Sequence, residues 1–590
     1  VGLAAGLAAL AWSGDIGEEA LLALAIVLLL ATSQAAVGMV NWLATLLAVP
    51  EALPRLDLSR GIPPESRTLV VTPTLLTSAA HIEALVEALE VRFLANRDDS
   101  LHLGLLTDFQ DAQLEIRPED EALVRLVVQR IEELNARYPR DRGDTFFLFH
   151  RPRRWNPQER IWMGYERKRG KLADLNALLR GGGREVFTQL VGDTAILANV
   201  KYVITLDTDT QLPRDAAREL VGTLSHPLNR PRYDPDRQRI TEGYGILQPR
   251  VAVSLPGANR SRYARLCGSD AGIDPYTHAV SDVYQVWFQE GSVIGKGIYD
   301  VDAVARTLDG RFPENRILSH DLLEGCYARS GLVSDVQLYE DYPACYSADR
   351  SRRHRWMRGD WQIARWLLPT VPGRNGLVCR NPISALSRWK LFDNLRRSLV
   401  PAALTGLLLL GWTQLDAPLV WTLAVLGIVL IPDDALLGLD AMFRALWRLT
   451  VSHRRRLEWT SSGDLDRSRR GFAAFHRMMW IAPTLALATA PILAFVNPSA
   501  LFVAGPILLP WLVSPTVTWW LSRPLTRREA RLTLDQTRFL RRMSRQTWAF
   551  FETVVGPDDH WLPPDNVQEH PVAVVAHRTS PTNMGLSLLA

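Results

Sequence analysis

The stretch VITLDTDTQL, residues 203–212, ends an apolar run in two carboxylates one residue apart, Asp207 and Asp209. If the run is a buried strand, both acids stand at its carboxyl end, where open α/β sheets bind their ligands. Three uses fit that placement. An Asp-rich turn after a strand is ordinary chain punctuation. An Asp-x-Asp pair can also hold a divalent cation against a diphosphate, and a phosphoryl-transfer site can use one acid as nucleophile and the other as proton donor. The surrounding chain has to choose between them.

Upstream, strand-like and helix-like patterns alternate. RTLVVTPTLL from Arg67 reads as a first buried strand, followed by the helical pattern SAAHIEALVEALEVRFLAN. LHLGLLTDF reads as a second strand ending at Asp108, and QLEIRPEDEALVRLVVQRIEELNARY contains a long helix. DTFFLFHR is a third strand, GKLADLNALLRG a helix, and NVKYVITLDTDT the fourth strand. This alternation predicts an α/β sheet with helices on its faces and polar groups at successive strand ends.

A phosphatase of the haloacid-dehalogenase type needs a further acidic pair at a later strand end. The tidy downstream match is Asp433 and Asp434 in LGIVLIPDDALL, whose apolar run is a membrane candidate. A nucleotide-sugar transferase finds more of its parts. Asp108 can hold a uridine edge, Thr72 of the first strand belongs to the same donor side, and Lys171 can offset phosphate charge. Asp209, with Asp207 assisting, can ligate Mg²⁺ or Mn²⁺. In NRILSHDLLEG, Asp321 can take a proton from an acceptor hydroxyl; its bland alternative is a helix cap. RRHRWMRGDWQIARWLL intermixes Arg352, Arg355 and Arg358 with Trp356, which suits diphosphate pairing and sugar stacking.

The average composition, 47% hydrophobic and 22% charged over 590 residues, hides a segregation. No charge occurs from Ala20 to Val49, a run longer than the roughly 20 apolar residues that span a bilayer. Further candidate spans begin at Leu399, Pro418, Met478 and Ala500. The first two of these are short, and a buried hairpin competes for them. The opening VGLAAGLAALAW looks like the tail of another span, so the sequence reads as part of something longer. Gln34, Asn41, Thr484 and Thr489 are the polar residues within these runs that a polymer channel would use; anchoring is the favoured alternative. Basic residues crowd into SRRHRWMR, RWKLFDNLRRS, SHRRRLEW, DRSRR and RPLTRREARLTLDQTRFLRRMSR. By the positive-inside rule the region from about 50 to 397 is then cytoplasmic. The net charge of +4 calls for no nucleic acid, since its clusters sit where anionic headgroups would be. Four cysteines lack metal-site spacing and read as reduced thiols.

Taken together, Asp207 and Asp209, Asp321, and Arg352, Arg355 and Trp356 resemble the processive family 2-type inverting glycosyltransferases, the class of cellulose and hyaluronan synthases. KLADLN, Lys171 to Asn176, is similar to that class's Lys-x-Gly-x-Leu-Asn element without its inner Gly. His320 stands where the class has Glu, and Arg352 where it has Gln. The longer strings TLDTDTQLPRD, GKGIYDVDA, PENRILSHDLLEGCYARSGLVSD, YEDYP and SRRHRWMRGDWQIA are similar to the cyclic β-1,2-glucan synthase family. The tail from Thr547 resembles the opening of that family's glucoamylase-like domain.

The resemblance implies a GT-A-type α/β domain, a mixed sheet with helices on both faces, inserted between transmembrane helices of a bacterial inner-membrane protein. The expected boundaries are 1–50 for N-terminal spans, 51–375 for the cytoplasmic transferase and 376–397 for an interfacial amphipathic helix. Further spans fill 398–522 around a basic loop at about 433–475, and 523–590 is a linker helix plus the truncated next domain. It implies UDP-glucose as donor, a β-1,2-glucan chain growing on a protein-linked primer, and inversion with Asp321 as base. The alternative is a processive synthase of another β-glucan that exports it through the helices. Tyr263, Tyr276 and Tyr299 are hydroxyls of the acceptor-side stretch able to carry a primer. GKGIYD reads as a weak phosphate loop or, better, a flexible acceptor-side loop, and Asp565, Glu569 and His570 as loop residues of the tail.

Overall fold

The computed structural model of the 590-residue chain describes residues 18–140, 143–268, 280–413, 431–458, 471–525 and 533–589, apart from 569 and 573. It forms two compact units, Val1–Leu525 and Thr526–Ala590.

The first unit is built on an eight-stranded sheet. In chain order its strands are β1 (Thr68–Leu76), β2 (Leu101–Phe109), β3 (Phe146–Arg151), β4 (Gln189–Val191), β5 (Tyr202–Thr205), β6 (Ile246–Val253), β7 (Gly297–Asp300) and β8 (Ser330–Glu340). Their spatial order is β8-β6-β7-β5-β1-β2-β3-β4. β5, β1, β2 and β3 run parallel, with Val71 beside Thr205 and Thr72 beside Leu105. β7 is antiparallel to both β5 and β6, and β4 is antiparallel to β3, so the sheet is mixed.

Alternate residues along a strand face opposite sides, and the core divides accordingly. Val70, Leu103, Leu105, Phe146, Leu148 and Ile204 pack against α1 (Ala79–Ala95), α2 (Asp120–Arg137) and α3 (Ala216–Ser225). Leu69, Val71, Leu106, Phe147, Phe149 and Val203 pack with α4 (Arg167–Leu179). Helices therefore cover both faces, as the alternating pattern predicts. α1 starts where Ser78 accepts from the His81 amide and buries Ile82, Leu85, Val86, Leu89 and Phe93 at helical spacing. GKGIYD is a correction: Gly297–Asp300 is a fully buried strand of the central sheet rather than a flexible loop. A four-residue strand entered through two glycines gives too little periodicity to be read.

Among the described residues two helices are long and apolar enough to cross a membrane, Leu22–Leu47 and Pro498–Leu521, and the pair Phe472–Met478 and Ile481–Val496 makes a third if its 63° bend belongs to one span. The apolar run from Leu399 is the second half of one helix, α5 (Ala385–Thr413), whose first half carries Lys390, Arg396 and Arg397. That first half packs against the sheet-bearing part of the unit. Lys390 Nζ donates to the Gly291 carbonyl at 2.6 Å, and Trp361 Nε1 donates to Ser398 Oγ at 3.0 Å. Gln34 accepts from Arg396 at 3.0 Å. The run from Pro418 and the opening residues lie outside the described residues. The expected basic loop begins instead as α6 (Ile431–Trp447).

The second unit contains the helix Leu534–Val554, opened by a capping box between Thr533 and Gln536, and a short two-stranded ladder, Val567–Gln568 with Val574–Val575. Asp565 pairs with Arg578 at 3.2 Å; Glu569 lies outside the described residues.

Candidate active site

Asp207 and Asp209 follow β5 at its carboxyl end. Their turn is pinned from beneath by Arg92 of α1, a side chain 4% exposed. The Arg92 guanidinium donates to the carbonyls of Asp207, Thr208 and Thr210 and to Thr72 Oγ1. Thr72 is thus a buried support of the turn, not a ligand-facing group. Next, Gln211 pairs with Tyr339 at the end of β8. That pairing brings Glu340 beside the turn, where it accepts from Thr210 Oγ1 at 2.8 Å.

Two ammonium groups close on these acids. Lys168 Nζ lies 2.7 Å from Asp207 Oδ1, and Lys296 Nζ lies 3.2 Å from Asp207 Oδ2 and 2.5 Å from Glu340. Burial raises the Asp207 carboxyl, but Lys168 and Lys296 outweigh it and hold the group far below the ordinary range. Asp209 goes the other way. Burial, then Glu340, then Asp207 push it up to about 6, although its outer surface opens to solvent. It is the under-compensated acid of the group.

Lys168 also donates to the Gly295 carbonyl at 2.7 Å, and Gly295 is the contact to Asp321. A Cβ on Gly295 would sit 2.8 Å from Asp321 Oδ1, and its φ of +87° already favours glycine. Asp321 opens the helix α7 (Asp321–Ala328) and is 28% exposed. His320 beside it is nearly closed off, with Nδ1 3.0 Å from Glu324 and 3.6 Å from Asp321.

The Arg-rich stretch is the helix α8 (Tyr346–Gln362). Three of its basic side chains face away from the acids, onto α6. Arg350 pairs with Asp433 at 2.7 Å, Arg353 with Asp434 at 2.8 Å and His354 with Asp440 at 2.9 Å. Asp433 and Asp434 therefore dock α6 onto the Arg helix, which gives them a structural role without any phosphatase. Arg355 is half-buried and lies within reach of the Asp207 and Asp321 charges. Burial and Arg352 push its guanidinium down to about 10, against the pull of Asp207 and Asp321. Arg352 binds Asp349 at 2.7 Å and stacks over Trp356, 4.9 Å from the ring centre. Arg358, expected on the diphosphate, instead pairs with the carbonyl and carboxylate of Glu458.

Gly359 and Gln362 fix the distance between the two halves of the site. Gln362 accepts from the Leu318 amide at 2.8 Å and donates to the Arg456 carbonyl at 2.8 Å. A Cβ on Gly359 would sit 2.3 Å from Ser319 Cβ, with no flexible side-chain end to yield. Gly359→Ala is therefore expected to push the Asp321 loop off the Arg helix and lower turnover about 100-fold, with a stability loss of about 1–3 kcal/mol; steady-state kinetics beside a thermal melt measures both.

Asp108 and Lys171 require correction. Arg151 takes both Asp108 oxygens, at 2.8 and 2.9 Å. Lys171 lies 3.4 Å from Asp108 and donates to the Thr74 carbonyl. Asp108 is 1% exposed, and a Cβ on Gly164 would already collide with it. Burial raises the Asp108 carboxyl but Lys171 and Arg151 overcome it, and burial pulls Lys171 down to about 8 despite Asp108. The carboxylate is a buried strut held by Arg151 and Lys171. Removing its charge leaves the buried Lys171 without its carboxylate and Arg151 with Asp174 alone. Asp108→Asn is expected to cost about 3–5 kcal/mol, read as a fall in thermal midpoint.

Lys168, Lys296, Glu340 and Arg92 are the residues that sequence reasoning missed. Lys168 lies three residues before Lys171 and so one helical turn away, a usable signal. Glu340 and Lys296 sit within the strings YEDYP and GKGIYDVDA but carry no spacing rule. Tyr263 donates to Asp349 at 2.9 Å and Tyr299 to Asn176 at 2.8 Å, both buried. Neither hydroxyl is open to carry a primer, and Tyr276 lies outside the described residues. A cavity of about 520 Å³ beside Leu53, Tyr244 and Arg329 contains none of the site acids.

No protein-family model matches the chain. It is 39% identical, over a 625-residue alignment, to the cyclic β-(1,2)-glucan synthase NdvB of Rhizobium meliloti (strain 1021), covering 98% of this chain and 22% of NdvB. The chain thus spans about a fifth of that relative's length. Among solved structures, the mannosyltransferase PcManGT from Pyrobaculum calidifontis in complex with GDP-Man and Mn²⁺ aligns with a TM-score of 0.41 at 15% identity, covering 72% of this chain and 98% of that one.

Proposed function

We propose that this chain is the transferase portion of a cyclic β-(1,2)-glucan synthase, a membrane-bound GT-A-type enzyme that moves glucose from UDP-glucose to a growing β-glucan with inversion. One observation carries the reading most. Asp207 and Glu340 share the Lys296 ammonium beside Asp209, and Lys168 and Gly295 link Asp207 to the candidate base Asp321. The 39% identity to NdvB supports the product class.

The residues fit a divalent cation. Asp209 carries negative charge that neighbouring cations leave under-compensated, and the Asp207 carboxylate, a second hard oxygen donor, follows the same strand end. Asp209 and Asp207 would hold Mg²⁺ or Mn²⁺, which when bound supplies charge stabilisation for the departing diphosphate. The chain's own groups do the rest. Arg92 holds the acidic turn rigid. Arg355 pairs with the diphosphate as its charge develops. Asp321 takes the proton of the acceptor hydroxyl, which attacks the anomeric carbon from the face opposite UDP and inverts it. Trp356, steadied by Arg352, offers an apolar face to the sugar. The catalytic unit lies on the cytoplasmic side of a bacterial inner membrane, anchored through α5 and the apolar helices.

Donor choice is tested by thermal shift of the whole chain in detergent with Mn²⁺. UDP and UDP-glucose are expected to stabilise it at concentrations where GDP and GDP-mannose do not. Equal stabilisation by both nucleotides would remove the uridine assignment.

A further inference from the structure

His320 lies beside the candidate base, and the proposed reaction gives it no role. The ring is 5% exposed. Its Nδ1 stands between two carboxylates, 3.0 Å from Glu324 Oε2 and 3.6 Å from Asp321 Oδ1. That nitrogen is buried without an aligned hydrogen bond to either. Nδ1 carries at most one proton in either state, so a neutral ring would leave the two acids facing each other with no positive charge between them. An imidazolium serves both.

The neighbouring elements hold this arrangement closed. The Lys168 ammonium from α4 is the cation that opposes a charged ring, and the Arg355 guanidinium from α8 faces Asp321. The chain turns from Ser319 into His320 directly against Gly359, leaving no space for the ring's backbone to retreat. Burial disfavours the charged ring, but Glu324 and Asp321 overcome it and raise its ionisation above the ordinary value.

We propose that His320 is a positioning residue for Asp321: as an imidazolium held by Glu324, it fixes the Asp321 carboxylate at the acceptor side of the cleft. This rests on Asp321 being the base. Its consequence is a basic limb in the turnover profile. Activity persists while His320 keeps its proton and falls as pH rises through its raised value, because the neutral ring no longer serves both acids. Glu324 is the anchor of the ring, so its loss lowers the pH at which that limb appears.

The test is the pH dependence of kcat for UDP release by the complete enzyme in membranes, comparing wild type with His320→Gln and Glu324→Gln. His320→Gln is expected to lower kcat about 10- to 100-fold and to abolish the basic limb. Glu324→Gln is expected to retain that limb but move it to lower pH, which misfolding would not produce. Profiles in both variants that keep the wild-type basic limb would overturn the proposal while leaving an inactive Asp321→Asn, and thus the base, intact. A fully active Asp321→Asn would remove the reading beneath it. Among the described residues, His320, Asp321 and Glu324 are also the group whose ligand atoms lie within 4.8 Å of one another. A stoichiometric transition metal in the purified wild type, absent from His320→Gln, would make them ligands and overturn the proposal as well.

Discussion

Asp321→Asn is expected to lower kcat for glucosyl transfer by about 10²–10⁴-fold, the usual reach of a positioned general base, with KM for the donor little changed. The substitution is close to isosteric, and Asp321 is 28% exposed, so no buried charge is stranded by it. His320 keeps its close contact to Glu324 at 3.0 Å, which preserves the local packing. The proposed donor groups Asp207, Asp209 and Arg355 are unchanged by the substitution, so nucleotide binding should survive. Single-turnover kinetics with labelled donor separates the two effects. Retained turnover would shift the proton acceptor to Glu324, 16% exposed on the same helix face.

The second large effect is expected at Asp209. Asp209→Asn should lower kcat/KM in Mg²⁺ or Mn²⁺ by about 10²–10³-fold, since a charged oxygen donor facing the diphosphate is lost. The same variant should make the metal-stripped protein more stable near neutral pH. Burial, Glu340 and Asp207 raise the Asp209 carboxyl to about 6 in the folded chain, above its unfolded value of about 3.9. Between those values the folded state holds the extra proton, so stability falls as pH rises. Above about 6 the full cost of the charge is present, and Asn removes it. Solvent at the outer face of Asp209 screens the effect, so the gain is about 1 kcal/mol. It should shrink as pH falls from about 6 toward 4. Thermal melts in chelator across that range measure it, and an unchanged or lower midpoint at neutral pH would contradict the charge balance described for the cleft.

The parallel half of the sheet was legible because each strand is a run of buried apolar residues ending in a polar group, and each crossover helix repeats at helical spacing. TLVVTPTLL, LHLGLLTDF and FFLFHR appear as β1, β2 and β3. The antiparallel strands were not, since β4 and β7 have only three and four residues. The acidic turn was legible as a motif, but its supports were not. Arg92 and Glu340 lie far from Asp207 in sequence and meet it only through the fold. Residue type misled at Asp108 and Lys171. A carboxylate at a strand end and a lysine on the next helix suit a ligand and a buried strut equally, and only Arg151 closing on both oxygens decides between them. The Arg helix was over-read for the same reason. Arg352, Arg355 and Arg358 share one stretch, yet the helix sends Arg358 to Glu458 and leaves Arg355 toward the acids.

The central claim is that the cleft transfers glucose from UDP to a 2-hydroxyl with inversion. The most direct measurement supplies UDP-[¹⁴C]glucose and Mg²⁺ to membranes carrying the complete enzyme, then follows UDP release and the linkage and anomeric configuration of the labelled glucan. The account predicts UDP release with β-configured, 2-linked glucose in wild type, and loss of both release and label in Asp321→Asn. A product with 3- or 4-linked glucose, or one with retained configuration, would contradict it.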